Sequence, residues 1–529
     1  MPEIEKNVSY QSRKLSLIGS MIFLLISIGF QIMMISDSSM IVESRMLRLL
    51  TGFALYIPIV FFVQGIILPG LKELRHASPG CSAGVLLSEV SGILLAFYDT
   101  DPSLFIPMGL LLIIYQVSDA AIPGITSNEE TSSASRFLSW LSIVSAIISL
   151  VIWYLSSGDL AASISHALSI LFIMLSVPCA AAPVAVLYKL MKQCHADGII
   201  ARDHHTLIQL AEIDTAAFGL RGILTEGQPF IASITAEGMS QDSFVALAAS
   251  VESETESTHP IAGLVMKEAI RRRLKLSHPV SWNEVQGCGV EALIYNQPVR
   301  FGRQGWLRKE GVHISASLLT RADQIASRGK TVLFLSTGNS GRGFIAFNDP
   351  IREDAPAAIA ALMNMDMKTV LLTGDSPSTA KAAGRSLGLS ATRASLSAME
   401  KVRELRILQS HGAGALFMAD SRTSLDAMGM ADISIAFEGS CAEESADIVL
   451  HKRSLWLLAH MIKLARKASA RISHRMHWMM MLSTVSILPA SGVLEIYGIH
   501  IPTAYMALLV MILGLIPSIR STKIKEENP

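Results

Sequence analysis

The amino-acid sequence predicts a helical membrane bundle carrying a soluble α/β region, which is itself interrupted by a second, inserted domain. Three observations predict it. Half of the 529 residues are hydrophobic and the mean hydropathy is positive, more apolar than a soluble domain of this length would be. Apolar runs of bilayer-spanning length gather towards both ends of the chain. Between Met191 and about Met476 lies a long mixed segment in which β-branched runs such as "TVLFLST", "KTVLLTGD" and "GALFMAD" alternate with helical stretches, the pattern of a parallel sheet.

The elements follow in order. After a polar start, "LSLIGSMIFLLISIGFQIMMI" is as long as a spanning helix and too long for a signal segment. Further apolar runs fall near 50–70, 84–98, 103–117, 136–156, 165–190, 477–495 and 502–519, giving about eight spans. The runs near 84–98 and 103–117 are short and fit a tilted pair or re-entrant pieces. Lys6, Arg13, Lys14, Lys72 and Arg75 fall on one side of the membrane and the acidic "YDTDPS" on the other, with Arg45 and Arg48 against the trend. This parity puts the soluble region in the cytosol, in a multi-pass protein of the cell membrane. On these signals the chain divides into a tail 1–13, six spans in 14–190, a soluble core begun by 191–228 and resumed by 339–455, an insert 229–338, two spans in 456–520 and a tail 521–529.

Composition also excludes. Lys+Arg and Asp+Glu both number 44, and neither a basic run nor an aromatic-basic platform occurs, so nucleic acid is not an expected partner and the lipid bilayer is. Cys81, Cys179, Cys194, Cys288 and Cys441 are scattered singly, neither a disulfide framework nor a CxxC module.

A series of short motifs carries the functional signal: "VPCAAAP" (177–183), "IDTAAFGLRGILTEGQP" (213–229), "ESTHPIA" (256–262), "QGCGV" (286–290), "NDPIRED" (348–354), "LLTGDSPSTA" (371–380), Lys401 and "ALFMADSRTSLDAMGMADISIAF" (415–437). Their order, spacing and flanks resemble the heavy-metal-transporting P-type ATPases, copper pumps among them, from about residue 50 to the C-terminus. The resemblance implies a haloacid-dehalogenase-like phosphorylation domain, an inserted α+β nucleotide-binding domain, ATP or ADP and magnesium as cofactors, and a helical membrane bundle. It places Glu252, His259, Gly287 and Gly289 at the nucleotide. It places Thr373, Gly374, Asp375 and Lys401 at the phosphate, Asp420 at magnesium and Cys179 on the path of a transition metal. Each has an ordinary reading too: a histidine before a turn proline, a tight hairpin, a solvated helix lysine, an inert buried thiol.

The departures from the family pattern decide the chemistry. The phosphorylated aspartate of D-K-T-G-T-L-T is Gly219 here, followed by Leu220, Arg221 and Ile223, and covalent catalysis needs the missing oxygen. Asp420 survives, but its motif partners are Ala419, Ser421, Thr423 and Ser424, leaving magnesium short of hard oxygens. Asp214 lies five residues before Gly219, about 16 Å up a strand. Family pumps hold an actuator domain with T-G-E between two core spans, where this chain has only "SDAAIPGITSNEETSSASR". Cys179 is one thiolate where the family uses C-P-C, and "HWMMMLS" adds Met479, Met480 and Met481. Three function classes stay open: a catalytically inactive pseudo-ATPase acting as regulator or partner of another membrane protein or pump subunit, a cation-translocating ATPase with a substitute acceptor or a borrowed actuator, and a vestigial product that binds nothing.

Overall fold

The computed structural model describes residues 2–36, 45–76, 80–121, 129–177, 179, 181–253, 260–285, 288–410, 412 and 414–520. The chain folds as two units, Met1–Leu190 with Ala468–Pro529, and Met191–Lys467.

The first unit is a membrane helical bundle. Five segments among the described residues are long and apolar enough to cross a membrane: Ser16–Met33, Arg45–Phe62, Cys81–Asp99, Pro102–Ala121 and Ser133–Ser157. Leu160–Leu175 and Thr503–Pro517 are shorter apolar helices. The two runs expected to be short or re-entrant are therefore full-length helices. In the first of them the apolar signal is diluted by the small residues Cys81, Ser82, Ala83 and Gly84, all of which are buried. The run 165–190 divides instead, into Leu160–Leu175 and Ala181–Ala196. The run 477–495 is likewise not one helix: Trp456–Val485 ends, Ile487–Ala490 makes a single turn, and Gly492 at φ +76° redirects the chain into the 3₁₀ turn Val493–Tyr497.

The second unit holds two sheets. Its strands are β1 (Ile199–Ala201), β2 (Thr215–Phe218), β3 (Phe230–Ala236), β4 (Ser281–Val285), β5 (Gly289–Ile294), β6 (Gln297–Gly302), β7 (Thr331–Thr337), β8 (Ser340–Asn348), β9 (Lys368–Leu372), β10 (Ala391–Arg393), β11 (Ala415–Met418), β12 (Ile433–Phe437) and β13 (Ile448–Leu450). The core sheet has the order β1-β13-β12-β11-β2-β9-β10, parallel except for β1. β2, β11 and β12 are buried at every residue, as strands covered on both faces must be.

The insert's sheet, β3-β8-β7-β6-β5-β4, is antiparallel throughout. "TVLFLST", expected among the parallel strands, is β7 of this sheet. A short run of β-branched and apolar residues looks the same in a doubly covered parallel strand as in a strand packed on one face. The expected boundary at 338 falls in the β7–β8 turn, because β8 pairs with β3 along its length, so the second sheet runs on to Asn348. Core and insert are joined by two adjacent chain crossings. Thr225 bridges to Ile351, Glu226 N donates to Pro350 O at 2.9 Å, and Asp349 accepts from Thr225 Oγ1 at 2.6 Å and from Gly227 N at 3.0 Å.

Candidate functional site

Parallel order brings the ends of β11, β2 and β9 side by side, the edge at which open α/β sheets meet their ligands. Gly219 follows β2, Thr373-Gly374-Asp375 follow β9, and Asp420 follows β11 by one residue. Gly219 N donates to Met418 O at 2.8 Å, tying the first of these ends to the last. Thr373 leads directly into the helix Pro377–Leu387, whose first turn is capped by Ser376 accepting from Thr379 N. Asp214 sits at the opposite end of β2, bonded by the Thr215 hydroxyl at 2.8 Å, and takes no part in the site.

Gly219 has φ −71° and ψ 157°, a conformation open to any residue, and a Cβ there would touch Ala419 Cβ at an ordinary 3.5 Å. The missing aspartate is a loss of chemistry and not a steric necessity. Gly222 is different. The turn Arg221 (φ −73°, ψ 133°) then Gly222 (φ 74°, ψ −12°) is of type II, which requires a left-handed residue at its second corner. A Cβ on Gly222 would also lie 2.7 Å from Asp420 Oδ2.

That turn aims Arg221 at the phosphate-side loop. Its Nη2 donates to Asp375 Oδ1 at 2.8 Å, and Arg303 of the insert brings Nη2 to 3.5 Å from the same oxygen. Asp375 is buried and also accepts from the Thr373 hydroxyl at 3.1 Å. Burial alone would raise the Asp375 carboxyl; Arg221, then Arg303, then the Thr373 hydroxyl outweigh it and hold it below the usual carboxylate range. A depressed carboxyl contributes stability that is present above its unfolded value, near 4, and is lost as pH falls through the folded one. Asp375→Asn is expected to lower unfolding stability at pH 7 by about 1–3 kcal/mol, the cost of leaving two part-exposed guanidiniums without their carboxylate, with the difference from the native chain shrinking below about pH 4. Denaturation followed by tryptophan fluorescence checks both.

Lys401, which its flank alone could not distinguish from a solvated helix charge, is buried on the helix Ala398–Ser410. Its Nζ donates to Ser424 Oγ at 2.9 Å and approaches Thr423 Oγ1 at 3.4 Å. Burial lowers its pKa, which Asp375 partly opposes and Arg303 and Arg221 reinforce. Magnesium does not fit what remains. The Asp420 carboxyl is raised by burial, its charged neighbours are Arg453 and Arg352, and its hydrogen-bond neighbour is the Cys441 thiol. Ser424, at a carboxylate position of the motif, and Thr423, at its asparagine, already accept from Lys401, and no group of three His, Cys, Asp or Glu suited to a metal occurs among the described residues.

Gly289 opens β5, and Glu252 is buried at the end of the helix Gln241–Glu252; their neighbours Val290 and Val251 share one apolar core. His259 and Gly287 lie outside the described residues. In the helical unit, Cys179 is buried just after Leu160–Leu175, and Cys81 is buried with its thiol 3.0 Å from the Tyr115 hydroxyl. Of the three methionines only Met479 is buried; Met481 is exposed. Residues 122–128 are all that separates the helices Phe105–Ala121 and Glu129–Ser157, a gap with no room for a domain.

Sequence reasoning missed Arg303, Arg352 and Arg453 and left Arg221 without a partner. Arg221 was visible as a cation in a threonine's place. Arg303, in "RFGRQGW", carried no signal, because only tertiary folding brings the insert's β6 end to the β9 loop.

Comparisons with known proteins bear on the fold that carries these residues. A family model described as a haloacid dehalogenase-like hydrolase matches residues 213–421, from the start of β2 to just past Asp420. Copper-transporting ATPase 2 of Rhizobium meliloti is 27% identical over 395 residues, covering 73% of this chain and 47% of the relative. Copper-exporting P-type ATPase B of Archaeoglobus fulgidus is 27% identical over 390 residues, 73% of this chain and 56% of its own. The chain thus spans about half the length of the curated relatives it matches. A crystal structure of a zinc-transporting PIB-type ATPase in its E2.Pi state shares the fold, with a TM-score of 0.67 over 96% of this chain and 99% of the other at 18% identity. The chain is thus similar in sequence to copper-transporting P-type ATPases over about three quarters of its length and shares the fold of a PIB-type ATPase, with a haloacid dehalogenase-like match over its core.

Proposed function

We propose that the protein is a catalytically inactive pseudo-ATPase of the heavy-metal P-type group, which binds nucleotide and acts on another membrane protein or pump subunit as regulator or partner. The observation that carries this reading is the acceptor position. Gly219 stands at the strand end where phosphoryl transfer needs a carboxylate, and Arg221, two residues on, is paired with Asp375 of the neighbouring strand end. The insert would bind ATP or ADP through Glu252, His259 and Gly287, with Gly289 shaping the strand start beside them, so that binding outlasts hydrolysis. The distribution of Lys6, Arg13, Lys14, Lys72 and Arg75 supports a multi-pass protein of the cell membrane with its soluble unit in the cytosol.

The competing reading, a working cation pump with a substitute acceptor, would have to use Asp375 or Asp420. Asp375 is buried under two guanidiniums, and Asp420 lacks the partners that would hold magnesium beside it. Membranes containing the native chain and given γ-labelled ATP are expected to show no acid-stable, hydroxylamine-sensitive phosphoprotein at its mass. A labelled band mapping to Asp375 or Asp420 would replace this reading with the pump.

A further inference from the structure

Positive charge exceeds negative charge around the end of β2. Asp375 is 4% exposed and is shared by Arg221 and Arg303, each with a side chain 34% exposed, so both arginines are pinned on one buried carboxylate while presenting part of themselves to solvent. Lys401, the third cation, is bonded only to neutral hydroxyls, those of Ser424 and Thr423. Asp349, the other carboxylate within reach of Arg221, is already bonded by the Thr225 hydroxyl and Gly227 N. Asp420, on the neighbouring strand end, faces Arg352 and Arg453, and Arg352 Nη2 donates to Gly222 O at 3.1 Å inside the Arg221 turn. Cations therefore occupy the surroundings in which a magnesium ion would need oxygens.

We infer that this site takes a phosphate-bearing anion without a divalent cation, with Arg221, Arg303 and Lys401 supplying the positive charge that magnesium would otherwise bring. A guanidinium presents paired N–H donors at the spacing of two phosphate oxygens, and an ammonium adds a point charge. Converging cations in a partly buried site are costly when only one carboxylate is shared between two of them, and an incoming anion offsets that cost. Backbone shape supports the assignment. The type II turn at Arg221–Gly222 holds the first arginine at the strand end, and Arg303 is fixed by its own N–H donating to Cys288 O at 2.9 Å. Because Arg303 belongs to the insert and Arg221 to the core, the anion would be gripped from both sides of the two chain crossings.

This inference rests on the reading that the chain binds nucleotide without turning it over, and its test separates the two. The full-length chain in detergent micelles is titrated with inorganic phosphate, ADP and ATP, each in EDTA and in magnesium chloride, with heats of binding and the unfolding midpoint as readouts. All three ligands are expected to bind and to raise the midpoint in EDTA, with magnesium changing affinity less than about twofold. Arg221→Gln and Arg303→Gln should each weaken binding about tenfold or more in EDTA, and Arg221→Lys should recover part of it. Binding that appears only with magnesium, or that is equal in native and Gln variants, overturns the inference. If ADP and ATP bind in EDTA but phosphate does not, and Arg221→Gln changes nothing, the core site falls while nucleotide binding by the insert stands. If phosphate binds and nucleotides bind no tighter, the core site stands and the nucleotide reading falls. If nothing binds the native chain, both fall. Should both Gln variants fail to fold, the comparison of EDTA with magnesium on the native chain decides.

Discussion

Gly219→Asp is expected to give a folded protein with no steady ATPase activity and no metal uptake in vesicles. Folding is preserved because the backbone at Gly219 suits any residue and the nearest atom to a new Cβ is Ala419 Cβ at 3.5 Å. Turnover is absent because phosphoryl transfer is the joint work of several positioned groups, any one of which is worth roughly a thousandfold. The restored carboxylate would face Arg221, which is committed to Asp375 at 2.8 Å, and Asp420, whose charged neighbours are arginines. Lys401 can add positive charge there, but a lysine bonded to Ser424 does not replace the magnesium ion that phosphoryl transfer uses. Even a phosphoaspartate, once formed, has no actuator in the gap between Phe105–Ala121 and Glu129–Ser157 to hydrolyse it. Labelling of Gly219→Asp should therefore be slow and stop at a single turnover at most. Sustained, copper- or zinc-stimulated hydrolysis by the pure variant would show that the remaining architecture is competent and that the native chain is one substitution from a pump.

The core sheet was legible in the sequence because its strands are short, largely apolar and end in recognisable phrases: "DTAAF" before Gly219, "KTVLL" before Thr373, "ALFM" before Asp420. Parallel pairing then places those three ends together with no further information. The insert was legible as an interruption and not as a sheet. β7 was misread because an antiparallel strand packed against a helix layer can be as apolar as a parallel one. Helix lengths in the bundle were misjudged where small residues, as at Cys81–Gly84, fill a tight interface without raising hydropathy. The site's anions and its missing acceptor could be read from motif positions. Lys401 and Arg221 could be read there too, but Arg303 could not, since it reaches Asp375 from 72 positions earlier in the chain (375 minus 303), and no local pattern announces such a partner. Lys401 shows the same limit in reverse: its helix looks polar in "SAMEKVREL", and only the packing of Ser424 over Nζ makes it a buried charge.

The glycines of the insert pose the sharpest choice between ligand and architecture, and Gly289→Ala is expected to decide for architecture. The resemblance places Gly289 in a G-x-G loop at the nucleotide, where a missing side chain lets backbone approach a ligand. Geometry gives it another task. Gly289 pairs with Gly302 across β5 and β6, and a Cβ on Gly289 would lie 2.4 Å from Phe301 O, 2.6 Å from Gly302 Cα and 2.8 Å from Trp306 Cζ3. A Cβ on Gly302 meets Cys288 O at 2.5 Å and Trp306 Cε3 at 2.8 Å. Backbone stands on both sides of this contact, so relief requires the strands to part and Trp306, buried in the adjoining apolar cluster, to leave its seat. Either alanine should lower stability by about 3 kcal/mol or more, whereas Gly263→Ala, on the exposed face of the helix Pro260–Arg271 with nothing within 4 Å, should raise it by about 0.5–1 kcal/mol. Unfolding midpoints and limited proteolysis of the three variants measure this. A Gly289→Ala chain as stable as the native one, yet no longer able to bind ADP, would return the residue to the ligand. The expected result has a functional consequence, since Arg303 follows Gly302 and hangs from Cys288 O: loosening the glycine pair should also release Arg303 from Asp375, weakening anion binding in the core through a position that touches no anion.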